Sequence, residues 1–294
     1  MRITRTRTLL AGVGLALAVS GLAACGGDDE GPDVKVEKAS DLTGVPKELA
    51  DAGKITIGVK IDQPGIGYKK PGADDPEGID IEMGKILAGA LGIDEGDIKW
   101  VETVSDNRET FLDKGTVDLV LASYSITDER REIVGQAGPY YVTGQQLLVR
   151  EEDKDKITGP DDLANVKVCS VEGSTSLARV EDEYGASPVP FATYSECVEQ
   201  LKSKTVDAVT TDGAILLGYA AEDPDELEVV GDPFSEERYG VGFKKDAEGM
   251  CDFINKTLQK AFDDGTWGDA FEATLGESGV DTPEPPKLDP CPKG

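Results

Sequence analysis

The sequence contains no histidine, which removes Ser-His-Asp catalysis, Cys-His catalysis and histidine metal sites together. Carboxylate chemistry stays available, since Asp and Glu number 58. No two cysteines have the C-x-x-C spacing of a redox or zinc site. Neither a cofactor nor a metal is expected. Positive charge is scarce: 30 Lys and Arg give a formal net charge of -28, so nucleic acid is not an expected partner. A cluster of cations is therefore informative wherever it occurs, because a basic pocket has to be built locally against this background. Beyond residue 24 no apolar stretch reaches the ~20 residues of a membrane helix. The folded part is expected to stay in water.

What is present begins with a leader. Arg2, Arg5 and Arg7 precede an apolar run over residues 9–19, followed by Ser20-Gly21-Leu22-Ala23-Ala24-Cys25. That is the order of a secretory signal peptide. Leu22-Ala23-Ala24-Cys25 resembles the lipobox of bacterial lipoproteins, which implies cleavage before Cys25 and a diacylglyceryl group on its thiol. The protein would then sit on the extracellular face of the cell membrane, held by lipid. Residues 1–24 are read as the signal peptide and 25–46 as a polar, flexible tether. The other cysteines, Cys169, Cys197, Cys251 and Cys291, lie in an oxidising compartment and allow more than one pairing. Cys169 with Cys197 and Cys251 with Cys291 is favoured, since each pair falls within one predicted lobe and the second pins a Pro-rich tail.

Strand and helix signals alternate along the rest of the chain, the mark of an α/β protein. A first series predicts strands over 54–60, 98–101 and 118–122, with helices over 80–91 and 107–113. A second series, starting near Gln145, predicts strands over 167–171, 189–191 and 208–211, with helices over 175–184, 194–203 and 214–221. The two series share a phrase: Thr116-Val117-Asp118-Leu119-Val120 matches Thr205-Val206-Asp207-Ala208-Val209. In that register Ser123 falls opposite Asp212. A strand over 239–243 and helices over 247–264 and 267–275 then follow, and a return of this part to the first lobe gives two chain crossings, hence a hinge and a cleft. The expected division is lobe 1 at 47–143 and 239–281, lobe 2 at 144–238, and a Pro-rich tail at 282–294.

The segment Ser123-Tyr124-Ser125-Ile126-Thr127-Asp128-Glu129-Arg130 follows a buried strand, where open α/β sheets bind ligands. Thr127 is a candidate N-cap, with Asp128 and Glu129 in the first helical turn. Free amides and the Arg130 guanidinium there suit a small anion. The bland alternative is a capped helix with a surface arginine.

This segment also carries a family resemblance. Ser-x-Ser-Ile-Thr-x-Glu-Arg-Arg followed by Gly138-Pro139-Tyr140, together with Gly58-Val59-Lys60-x-Asp62-Gln63-Pro64-Gly65 and Ser105-x-Asn107-Arg108, resembles the bacterial extracellular solute-binding proteins of family 3. These are the polar amino-acid-binding proteins of ABC importers, and the phrases look like those of glutamate-binding members. The resemblance implies a two-lobed, type II periplasmic-binding fold that closes on an amino acid and presents it to ABC permease subunits, with the protein a monomer and not an enzyme. By that resemblance Arg130, Ser125 and Thr175 hold the ligand α-carboxylate, and Asp212 and Ser123 take the α-ammonium. Lys60, Arg108 and Ser105 read the side chain, and two cations there favour glutamate first and aspartate second. Within Gly173-Ser174-Thr175-Ser176 the hydroxyl that reaches ligand stays open. Two other readings use the same fold: an amino-acid-sensing lipoprotein that signals to a membrane receptor, and a cyclohexadienyl-dehydratase-like enzyme. The second needs a pair of facing carboxylates, which the placed residues do not supply.

Overall fold

A computed structural model describes residues 38–292. The expected signal peptide, the expected lipidation site Cys25 and the expected tether as far as residue 37 lie outside the described residues. The chain runs through α1 (Gly44–Ala52), β1 (Ile55–Val59), the short strands β2 (Asp62–Gln63) and β3 (Gly67–Tyr68), α2 (Ile79–Leu91), β4 (Ile98–Glu102), α3 (Arg108–Asp113), β5 (Leu119–Leu121), α4 (Asp128–Ile133) and β6 (Gly135–Thr143). It continues through β7 (Gln145–Arg150), β8 (Lys167–Val171), α5 (Thr175–Glu183), β9 (Ser187–Phe191), α6 (Tyr194–Lys202), β10 (Ala208–Asp212), α7 (Gly213–Glu222) and β11 (Leu227–Val230). It ends with β12 (Glu237–Phe243), α8 (Met250–Asp264) and α9 (Thr266–Glu272).

Two five-stranded sheets result, one in the order β4-β1-β5-β12-β6 and the other β11-β7-β10-β8-β9. In the first, β1 pairs parallel with β4 and β5, and β12 inserts antiparallel between β5 and β6. In the second, β8 pairs parallel with β9 and β10, while β7 runs antiparallel to β10 and β11. The chain crosses from the first sheet to the second between Thr143 and Gln145, and back between Val230 and Glu237. Each sheet, with its helices, makes one lobe.

The shared phrase has a structural counterpart in each lobe. The Asp118 carboxylate accepts from Thr56 N at 2.8 Å, and Asp207 accepts from Lys167 N at 3.1 Å. Both aspartates also donate their own N–H to the same partner residue, at 2.8 Å in each case. In each lobe the phrase therefore seats its strand beside the lobe's first parallel strand and fixes where the strand end emerges.

Burial follows the predicted patterns. Ile57, Val59, Leu119 and Leu121 of the first sheet are fully buried in one apolar cluster with residues of α2, α8 and α9, and each such side chain contributes about 1.5–3 kcal/mol. The β9 strand carries Pro188 and Pro190, and it lies at an edge of its sheet, where a missing N–H is tolerated. Helix α1 begins inside the stretch expected to be tether. Ala39 N donates to Ala90 O at 2.9 Å and Val45 N to Glu248 O at 3.0 Å, while Pro46 is buried in the first turn, where proline removes no intrahelical bond. Tertiary partners order a segment whose composition reads as linker.

Both disulfides take the favoured pairing. Cys169 joins Cys197, 28 residues on, and Cys251 joins Cys291, 40 residues on; loops of this length stabilise by about 2–4 kcal/mol each. The second bond holds the tail against the hinge strands. There Asp289 pairs with Arg131 at 2.7 Å and with Arg238 at 2.5 Å, and its N–H donates to Gly138 O at 2.7 Å.

Candidate functional site

The site forms where β5 and β10 end facing one another. After β5 the backbone turns through Ser123 at a φ of 43°, a left-handed value that is costly for a residue with a Cβ. Ser123 N is held by Asp80 Oδ2 at 2.7 Å, and Asp80 also accepts from the Tyr140 hydroxyl. Burial pushes the Asp80 carboxyl up to about 6, against the pull of those two hydrogen bonds and of the Lys60 charge. Thr127 caps α4, its Oγ1 accepting from Arg130 N at 3.1 Å. This cap aims the arginine side chain back under the strand end rather than outward, so the surface-arginine alternative does not hold: Arg130 is buried.

Two guanidiniums stack on the ring of Tyr124, Arg108 at 4.5 Å and Arg130 at 5.0 Å from its centroid. Arg130 donates from Nη1 to Ser125 O at 2.7 Å and from Nη2 to Gly173 O at 2.9 Å, with Glu109 Oε1 3.4 Å from its Nε. Arg108 donates from Nε to Ser105 O at 3.0 Å and from Nη1 to Ala122 O at 3.1 Å and Ser123 O at 3.3 Å. Its Nη2 reaches Gly173 O at 3.0 Å. Both arginines thus extend from the first lobe to one carbonyl of the second. Burial, followed by the Arg130 charge, lowers Arg108 to about 10, so Arg108 remains a cation at neutral pH.

The second lobe supplies Thr175 and Asp212. Ser174 caps α5, accepting from Leu177 N at 3.0 Å, which leaves Thr175 at the first helical position with its Oγ1 donating to Glu237 Oε2 at 2.9 Å. Asp212 precedes α7, yet its side chain makes no cap. Instead Oδ2 accepts from the Tyr239 hydroxyl at 2.7 Å, and Oδ1 is buried with no partner among the described residues. Burial, followed by the Glu237 charge, lifts this carboxyl to about 7.

Seven of the eight ligand-contact residues expected from sequence line one cavity: Ser105, Arg108, Ser123, Ser125, Arg130, Thr175 and Asp212. The cavity they enclose has a volume of about 10 Å³. Lys60 stands apart from that wall. Its Nζ donates to Ser105 Oγ at 2.9 Å from behind, and burial, with the Arg108 charge adding, lowers it to about 7. Ser174, Ser176, Tyr194 and Thr211 also line the cavity; Tyr194 and Thr211 were not singled out, because a tyrosine opening a helix and a threonine inside a strand read as structural. Gln63 lies within the Gly58–Gly65 phrase. It is fully buried, and neither of its amide atoms has a partner among the described residues.

Chemically, the cavity presents two guanidiniums and the N-terminus of α5 on one side and a partly protonated carboxyl with one open oxygen on the other. That is the polarity of a small zwitterion, one acid and one base held apart. The sequence pattern of the bacterial extracellular solute-binding proteins, family 3, matches residues 55–277. The chain belongs to this family. As a family 3 solute-binding protein it is 37% identical to the glutamate-binding protein GluB of Corynebacterium glutamicum, with 95% of each chain covered. It is 34% identical to the ABC transporter glutamine-binding protein GlnH of Bacillus subtilis, over 88% of this chain and 94% of that one. Among solved structures, an ancestral arginine-binding protein bound to arginine superposes with a TM-score of 0.70 at 32% identity, covering 75% of this chain and 97% of that one. The solute-binding protein described here therefore has the two-lobed fold of amino-acid-binding proteins. No helix among the described residues is long and apolar enough to cross a membrane.

Proposed function

We propose that this protein is the lipid-anchored, extracellular binding component of an ABC amino-acid importer, a monomer that takes glutamate, or aspartate second, between its lobes and hands it to the permease subunits. The lobes of this reading are 47–143 with 239–281, and 144–238, and Cys25 carries the lipid. The observation that carries it is the unpartnered Asp212 Oδ1 on the same cavity as Arg130 and Arg108. A buried carboxylate oxygen costs free energy unless a donor meets it, and an α-ammonium is such a donor. Arg130, the Ser125 hydroxyl and the Thr175 amide then take the α-carboxylate, and Ser123 assists at the ammonium. Arg108, Ser105 and, through Ser105, Lys60 set a positive field around the side chain, which a second carboxylate relieves. The relative named glutamate-binding, at 37% identity over nearly its whole length, agrees with that choice.

The test is calorimetric titration with glutamate, aspartate, glutamine and asparagine, repeated on Lys60→Ala and Arg108→Ala. Glutamate is expected to bind most tightly to the unaltered protein, and both variants are expected to lose the preference for acidic over amide ligands. Variants that keep that preference overturn the side-chain assignment, and a protein that binds none of the four overturns the reading as a whole.

A further inference from the structure

Helix α6 of the second lobe begins with a reciprocal cap of its own. Thr193 Oγ1 accepts from Glu196 N at 3.3 Å, and Glu196 Oε2 accepts from Thr193 N at 3.1 Å. This leaves the next two N–H groups, of Tyr194 and Ser195, with no acceptor from their own turn. The acceptor comes from the other lobe. Asp62 Oδ2, on the β2–β3 hairpin, receives Tyr194 N at 2.9 Å and Ser195 N at 3.3 Å. The Asp62 backbone carbonyl also receives the Tyr219 hydroxyl from α7. Beside it the approach leaves no slack: a Cβ on Gly218 would stand 2.4 Å from Pro64 O.

The contact connects mechanically to the cavity. Cys197 lies on the first turn of α6 and is bonded to Cys169 on β8, so α6 and β8 move as one body. Strand β8 runs directly into Gly173, whose carbonyl receives both Arg108 and Arg130. Tyr194, whose N–H is held by Asp62, is itself part of the cavity wall.

We propose that Asp62 is a positioning residue for ligand capture: by bonding the start of α6 across the cleft it latches the lobes together and sets how long a ligand stays bound, without touching the ligand. A carboxylate on helix N–H groups is a charge-assisted contact with a favourable dipole. The bond exists only while the lobes meet. Its loss therefore acts on release, because closing contacts form after encounter. The kinetic half of the test rests on the amino-acid-binding reading above; the scattering half does not.

The experiment compares the lipid-free mature chain, residues 26–294, with Asp62→Asn and Asp62→Ala variants of it. Glutamate release is followed by stopped-flow fluorescence, and the radius of gyration is measured by small-angle scattering with and without glutamate. Asp62→Asn keeps the size and one carbonyl acceptor, and it is expected to release glutamate about tenfold faster with an association rate within about twofold of the parent. Asp62→Ala is expected to go further in the same direction, and both variants are expected to show a larger radius of gyration than the parent. Thermal melting of ligand-free protein distinguishes a latch from a fold defect. Variants that melt lower but keep the parent's release rate and radius overturn the proposal, and so does an unchanged release rate at unchanged melting. If the parent binds no glutamate the functional reading fails, and the latch is then decided by scattering alone: equal radii in parent and variants overturn it.

Discussion

Replacing Asp212 with asparagine separates what this carboxyl does for the fold from what it does for a ligand. Its pKa is near 3.9 in an unfolded chain and about 7 in the folded protein, because burial and then Glu237 disfavour the charge. The folded state therefore binds the proton more tightly than the unfolded state between those values, so stability falls as pH rises through that window. The full difference is about 4 kcal/mol, absent below pH ~4 and complete above pH ~7. Asparagine removes the charge and still accepts from Tyr239, but its amide N–H group takes the place of the unpartnered Oδ1, a cost of about 1–3 kcal/mol at every pH. Without ligand, Asp212→Asn should thus melt below the parent at pH 4 and above it at pH 8, by about 5 °C for a chain of this size. Glutamate affinity should fall by about 100-fold or more, since the ammonium loses its counter-charge. In the parent, binding requires the ionised form, so affinity should drop as pH is lowered through 7 and binding at pH 7 should release about half a proton. Melting curves from pH 4 to 8 and calorimetry in buffers of different ionisation enthalpy read all of this. Parallel stability profiles for parent and variant, or an affinity within about threefold, refute the reasoning.

Arg130→Lys keeps the charge but loses the planar fork that spans Ser125 O and Gly173 O; titration should show affinity about 10–100-fold weaker. Lys60→Met should stabilise the ligand-free protein at neutral pH and below, as read by denaturant melts. The folded pKa of about 7 lies beneath the usual lysine value, so the cost of this buried charge is fully present below pH 7 and is lost between pH ~7 and ~10.4. Replacing Cys251 and Cys291 by serine should lower stability by about 2–4 kcal/mol in chemical denaturation. An unchanged midpoint would show that the tail is held by Asp289 alone.

Much of the architecture was legible because its signals are local. Apolar runs such as 118–122 mark buried parallel strands, and Thr127 marks a helix start, as its cap bears out. The repeated Thr-Val-Asp phrase placed the ends of β5 and β10, and residues at strand ends cannot avoid the cleft. What depended on a side chain's path was not legible. Arg108 sits among four backbone carbonyls rather than pointing freely at solvent or ligand, and Lys60 stands behind Ser105. Asp62 and Gln63 belong to a two-residue strand too short to give a period. Helix α1 starts at Gly44, three residues ahead of the expected lobe boundary at 47, where Val45 N is tied to Glu248 O, far along the chain.

The edge position of β9 bears on how copies of this protein meet one another. Ser187 N points inward, to Val166 O at 2.9 Å, so the alternating residues Pro188 and Pro190 turn their nitrogens away from the sheet. Those nitrogens carry no hydrogen. A strand from a second molecule approaching this side finds acceptors but no donors at two successive outward positions, and it cannot close a ladder. The lobe ends there as a chemical boundary, which lets many copies lie close together without zipping sheet to sheet along that edge.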